Sequence, residues 1–211
     1  LAKENDFVDI HGAIGTNGDS GLPICRIRVD QFMKELLEKL VEERGGTYDR
    51  KRFETPPIVQ MKATVPLAEG EIRIDHHHRP AGDPENNHNE FIFRFLTRSE
   101  LNWQVYLYPE SWSDQVLKFL GSQDIQVGLP KLDPLFMIKS NQPDLLKSYL
   151  KNGPLCEYFE QVPQMEFRIR SENEQLQMEM RCVVNPPRPD HFDFLLKTFE
   201  VAIEQLWKIG V

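Results

Sequence analysis

An α+β fold, with an antiparallel sheet packed on one face by helices, is what this sequence predicts. Three observations carry the expectation. Several segments alternate apolar and polar residues with a period of two, and short turns join them. Two long segments place apolar residues three and four apart, as a helix with one buried face requires. The chain has 211 residues, 40% of them hydrophobic and 27% charged, which suits a globular chain able to bury a sizeable core.

The first element expected is a β-hairpin over residues 7–29. "FVDIHGAI" and "ICRIRV" are strand-like, and "GTNGDSGLP" between them is turn chemistry. Its glycines match neither GxGxxG nor the GK[ST] of a phosphate loop. A helix follows over 30–44, with Asp30 as N-cap. Its apolar face is Phe32, Leu36, Leu37 and Leu40, widened by Met33 and Val41. Gly45-Gly46 ends it.

Four strands are then expected as an antiparallel meander: "IVQMKATV" (58–65), "EIRID" (71–75), "EFIFRFLTR" (90–98) and "NWQVYLYPE" (102–110). "PLAEG" supplies the first turn. Phe91, Phe93 and Phe95 share one face of the third strand, where packing against helices is expected.

A short helix "SDQVLKFLG" (113–121) and a strand "LFMIKS" (135–140) come next. Pro143 opens a helix whose apolar face is Leu145, Leu146, Tyr149 and Leu150, and "PLCEYFEQ" continues as a second short helix. Residues 164–184 read as a hairpin. Met165, Phe167 and Ile169 run out along one face, and Leu176, Met178, Met180 and Cys182 return along it. Glu166, Arg168, Arg170, Gln177, Glu179 and Arg181 point the other way, so this sheet has one wet face. The last helix, about 189–208, carries Phe192, Leu195, Leu196, Phe199, Ala202, Ile203 and Leu206 as a continuous stripe. The whole reads as one α+β domain over 1–211. The order helix-then-hairpin occurs twice, so halves at 1–120 and 121–211 are the alternative division.

The net charge of −8 disfavours phosphate backbones as partners, and no run of clustered Lys and Arg offsets it, so nucleic acid is not expected. Cys25, Cys156 and Cys182 form no CxxC pair, and an odd count argues against a disulfide scaffold. No apolar run reaches the roughly 18–20 residues of a membrane helix. The chain begins at Leu1 rather than Met, as would a fragment trimmed of an N-terminal anchor.

Over about residues 119–207 the sequence resembles a family of uncharacterised bacterial proteins. The likeness rests on "FLGSQDIQVGLPKLDPLFMIKSNQPDLLKSYL", on "MEFRIRSENEQLQMEMRC" and on the helical end "DHFDFLLKTFEVAIEQL". The positions that carry it are Gly121, Asp124, Ile125, Gly128, Asp133, Phe136 and Asn141. The resemblance implies a fold, and in some members a membrane segment ahead of this part, but no activity or cofactor. The expected location is the cytoplasm, or the inner face of a membrane.

The one stretch suggestive of chemistry is "IRIDHHHRPAGDPENNH", residues 72–88. On a strand His76 and His78 face the same way and His77 the other, so His76 and His78 could chelate one divalent metal such as zinc, with Asp75 and His88 closing the site if "RPAGDPENN" loops back. The plainer expectation is an exposed histidine-rich loop. No HExxH or GxSxG occurs, so no catalytic residues are assigned. Cys156 lies near a helix start, where a dipole would lower a thiol pKa, although packing accounts for it equally. Asp124 and Asp133 fit turn roles, Asp190 suits a first helical turn, and His11 and His191 stand alone. Trp112, Asn141 and Arg188 fall in loops that suit a binding surface.

The expected function is therefore a non-catalytic binding or assembly domain of a bacterial protein. It would act through a protein partner or self-association, with no cofactor and with any membrane tether outside the present chain. One rival is a metal-dependent hydrolase built on the histidine segment. Another is a small-ligand or lipid carrier with a pocket lined by Phe91, Phe93, Phe95 and Trp103.

Overall fold

The structure, a computed structural model, describes residues 23–53, 58–79, 88–109, 128–151, 153–184 and 188–210, with backbone alone for 23–29, 79 and 88. In chain order the elements are α1 (Pro23–Arg44), β1 (Thr47–Phe53), β2 (Ile58–Leu67), β3 (Gly70–Arg79), β4 (His88–Arg98), β5 (Gln104–Pro109), β6 (Phe136–Ser140), α2 (Pro143–Lys151), α3 (Leu155–Glu160), β7 (Glu166–Glu172), β8 (Gln175–Val184) and α4 (Pro189–Lys208). The strands form one antiparallel sheet in the order β1-β2-β3-β4-β8-β7-β5-β6. The α+β architecture is thus as the periodicities predict.

Alternation decides which face becomes the core. Val59, Met61, Ala63 and Val65 of β2, Ile72 and Ile74 of β3, and Phe91, Phe93 and Phe95 of β4 are all buried. So are Leu176, Met178, Met180 and Cys182 of β8, Phe167 and Ile169 of β7, and Val105 and Leu107 of β5. Helices cover this inner face. The predicted stripe of α4 is buried throughout, and its Phe192 and Phe199 rings lie 6.1 and 5.8 Å from Phe93. Tyr149 of α2 stacks on Phe167 at 6.4 Å and donates its hydroxyl to the Ala202 carbonyl at 3.0 Å, tying α2 to α4. Met33, Leu37 and Leu40 of α1 join the same core.

Four local expectations need correction. Residues 24–29, expected as a strand, belong to α1, so Asp30 lies inside that helix and is not its cap. Residues 47–53 form a strand that the periodicity does not signal. β1 is a charged edge strand with little buried surface, and charge at an edge discourages further pairing. β3 runs on to Arg79, so the three histidines sit in a strand between β2 and β4, not in an exposed loop. Finally, β5 does not continue the meander of β2, β3 and β4. β8 pairs with β4, setting Phe91, Phe93 and Phe95 opposite Cys182, Met180 and Met178, and β7 separates β8 from β5. Strands of the second half therefore lie between strands of the first. The expected strand 7–14, the glycine loop up to residue 22, His11, the helix 113–121 and Trp112 lie outside the described residues.

Two glycines after α1 do different jobs. Gly45 takes φ +69° and its N–H donates to the Val41 carbonyl at 2.9 Å, closing the helix as a left-handed C-terminal residue does. At Gly46 a Cβ would stand 2.0 Å from the Thr64 carbonyl oxygen, so only glycine lets β1 approach β2 there.

The β7–β8 hairpin turns on Asn173 and Glu174, with φ of +51° and +59°. Both central residues of such a two-residue turn are left-handed, which suits Asn-Gly better than Asn-Glu. Glu174→Gly is therefore expected to raise stability by roughly 0.5–1 kcal/mol, since it relieves a strained non-glycine residue. Urea unfolding checks this, and a loss of stability would show that the Glu174 side chain contributes more than its backbone strain costs.

Candidate functional site

The histidine segment is divided by the strand that carries it. His76 and His78 point to the inner face, at 0% and 3% exposure, while Asp75 and His77 point outward. His76 packs its ring 4.8 Å from Phe91, and neither ring nitrogen has a hydrogen-bond partner. Burial pushes its pKa down to about 3. His78 and His77 add to the lowering, and Asn89 opposes it. His78 Nδ1 donates to Asn89 Oδ1 at 2.9 Å, and its buried Nε2 has no partner. Asp30 of α1 lies near enough to His78 to feel its charge. Burial raises the Asp30 pKa, and His78, Arg50 and Arg52 oppose the rise. These residues make a polar corner between α1 and the far end of β3 and β4.

Asp75 belongs to a different network. It takes an ion pair from Arg94, and Lys62 lies 3.6 Å away. Arg94 also donates through Nε to Glu179 at 2.8 Å, and Arg181 reaches Glu90 at 3.5 Å. His77 Nε2 accepts from Gln60 at 2.9 Å, while its Nδ1 lies 3.4 Å from Glu90. The candidate metal set is therefore not brought together. Asp75 is separated from His76 and His78 by the thickness of the sheet, because neighbours on a strand face opposite ways. His88 opens β4 opposite Arg79, and only its backbone is described. Among the described residues no three His, Cys, Asp or Glu side chains converge as metal ligands.

A second feature lies on the outer face, where β6, β5 and β7 run side by side. Cross-strand pairing sets Lys139 opposite Tyr106, Tyr106 opposite Arg168, and Gln104 opposite Arg170. Above these strands is a half-open groove of about 700 Å³, lined by these five side chains together with Asn141 and Glu172. Arg168 lies over the Tyr106 ring at 4.5 Å, donates to its hydroxyl at 3.0 Å and holds Glu166 at 2.7 Å. Tyr106 in turn packs on Tyr108, ring to ring at 4.7 Å. A guanidinium held on an aromatic face and by a carboxylate is fixed in orientation, with little rotamer freedom left to lose on binding.

The groove's two serines are occupied. Ser140 Oγ accepts from Trp103 Nε1 at 3.3 Å and from the Gln142 N–H at 3.0 Å. Ser171 Oγ accepts from the Trp103 N–H at 2.9 Å and donates to the Leu101 carbonyl. Asn141, which the sequence marks as a loop residue suited to binding, also holds structure. It accepts from the Gln104 N–H at 2.8 Å and donates to the Asn102 carbonyl at 3.1 Å, fixing the start of β5 against the end of β6.

The remaining candidates are structural. Cys156 has its pKa pushed up to about 11 by burial, and Glu160, 3.6 Å from its sulfur, adds to the rise. The helix-start argument for a reactive thiol therefore fails, because desolvation and a neighbouring carboxylate outweigh the dipole of a short helix. Burial also raises Cys182. Asp133 Oδ2 accepts from the Leu129 N–H at 3.0 Å, a turn role. Arg188 is the residue before α4, and Asp190 sits in its first turn. Cys25 lies in α1 rather than in a strand, and Asp124, with Gly121 and Ile125, is outside the described residues.

Phe91, Phe93, Phe95 and Trp103, the proposed wall of a carrier, are each at most 1% exposed. Phe91 meets Phe192 at 5.6 Å, Phe95 meets Trp207 at 6.1 Å and Trp103 meets Tyr149 at 5.3 Å. Helix side chains occupy the space where a carried ligand would sit. Among the described residues no helix is long and apolar enough to cross a membrane. The chain matches no protein-family model, no curated protein and no solved structure.

Proposed function

We propose that this chain is a non-catalytic binding domain that takes its ligand on the outer face of the sheet, over β5, β6 and β7. The observation that carries the reading is the groove of about 700 Å³, within the usual range for small-molecule sites. Its side chains are recognition groups: two arginines, a lysine, a tyrosine and two amides, with the Glu172 carboxylate beside them. Ser140 and Ser171, the hydroxyls nearest to hand for nucleophilic chemistry, are held in structural hydrogen bonds. The metal-dependent hydrolase has less support, because Asp75 is paired with Arg94 on the face opposite His76 and His78.

Amide NMR with a panel of small neutral, cationic and anionic compounds tests the proposal. Shifts are expected at residues 104–106, 139–141 and 168–172, with the core of β2 and β3 unmoved. A panel that leaves those amides still, or moves only residues around His76 and His78, would overturn it.

A further inference from the structure

We infer that the ligand of this groove is a small organic oxyanion, held through a carboxylate or a phosphate by Lys139, Arg168 and Arg170. The inference rests on the binding reading above and names its ligand class. Lys139 is only 7% exposed, and its Nζ has no hydrogen-bond partner. A buried lysine donor without an acceptor is costly. Folded chains keep such groups where something else completes them. Arg168 presents a second unfilled donor. Its Nη2 is engaged by Glu166 and Tyr106, yet its buried Nε has no partner. Both residues line the same groove from strands on either side of β5. Arg170 follows on the same face of β7, one row further along, opposite Gln104.

Lysine and arginine can only donate, so the group that completes them must accept. A charged acceptor makes hydrogen bonds roughly twice as strong as a neutral one. Arginine's planar fork suits the paired oxygens of a carboxylate or phosphate. Small size follows from the surroundings. Glu172 stands at the groove and Glu166 beside Arg168, so the positive patch is bounded by carboxylates. The whole chain carries −8, which repels an extended polyanion but leaves room for one compact oxyanion at the patch.

Isothermal titration with citrate, inorganic phosphate and neutral glycerol tests this, on the wild type, Lys139→Met and Arg170→Gln. Wild-type protein is expected to bind citrate or phosphate saturably and to ignore glycerol. Citrate alone would assign the carboxylate, and phosphate alone the phosphate. Lys139→Met keeps the apolar stem and removes the donor, so the dissociation constant is expected to rise about tenfold with the melting temperature unchanged or higher. If Lys139→Met does not fold, exposed Arg170→Gln carries the test, with weakening of several-fold expected. No binding of either oxyanion, or equal binding by every folded variant, overturns the inference. If the oxyanions fail while neutral or cationic compounds still shift residues 104–106 and 168–172, the binding reading survives and only the ligand class falls. If no compound shifts them, both fall.

Discussion

Acidification from pH 6.5 to pH 4.5 is expected to remove about 2 kcal/mol of stability through His76 alone. This imidazole is fully buried against Phe91, with a pKa lowered from 6.5 to about 3. Folding therefore excludes a proton that the unfolded chain binds. For a base with a depressed pKa, the stability is fully present above the unfolded value. It falls by about 1.4 kcal/mol per pH unit as pH drops below 6.5, and the loss levels off near pH 3. The groups facing His76 set the background. His78 and His77 disfavour its protonation, Asn89 favours it, and Phe91 is neutral. Asp30, one step further along the corner, acts with the opposite sign. Its raised pKa means that protonating it at low pH relieves a cost of folding, which offsets part of the slope. Urea unfolding from pH 7 to pH 4.5 on the wild type, His76→Leu and Asp30→Asn separates the two. His76→Leu is expected to flatten the dependence and to be more stable than wild type at pH 4.5. Asp30→Asn is expected to steepen it. An unchanged slope in His76→Leu would show that a polar partner reaches this ring in solution.

Phe93→Ala is expected to cost about 3–5 kcal/mol, the largest effect of any single truncation proposed for this chain. Phe93 lies in a central strand, fully buried, with its ring 6.3 Å from Phe91, 6.1 Å from Phe192 and 5.8 Å from Phe199. Removing it takes a large apolar side chain out of a site held by both sheet and helix, which cannot readily collapse. For a chain of this size that is a fall in melting temperature on the order of 10 °C. Leu96→Ala, three residues along and on the exposed face, is expected to change stability by no more than about 0.5 kcal/mol. Thermal and urea unfolding of both variants make the comparison. A cost below about 1 kcal/mol at Phe93 would mean that the space between sheet and helix is loosely filled, and would revive the carrier reading.

Where the sequence was readable, it was readable because burial and period coincide. Phe91, Phe93 and Phe95, the returning run from Leu176 to Cys182, and the α4 stripe each follow one geometric rule, and each faces the core. Gly45 marked the end of α1 for an equally local reason, since few other residues accept its backbone angle. The histidines misled because polar residues score against a strand. "DHHHR" continues β3 since its neighbours β2 and β4 satisfy its backbone on both sides, whatever its side chains prefer. β1 gives no periodic signal for the related reason that an edge strand of Asp49, Arg50, Lys51 and Arg52 shows no apolar alternation.

By itself, then, the sequence determined the fold class, the face of each strong strand that turns inward and the helix that covers it. These depend on contacts within one period of the chain. The tertiary structure alone decided which strands are neighbours. Pairing β5 with β6 on one side and β7 on the other brings Lys139, Tyr106, Arg168 and Arg170 into one groove from positions 106 to 170. The outward turn of Arg168 and Arg170 was legible from alternation, but their companions were not. A groove between strands is a property of register, and register is chosen by the summed packing of the whole inner face.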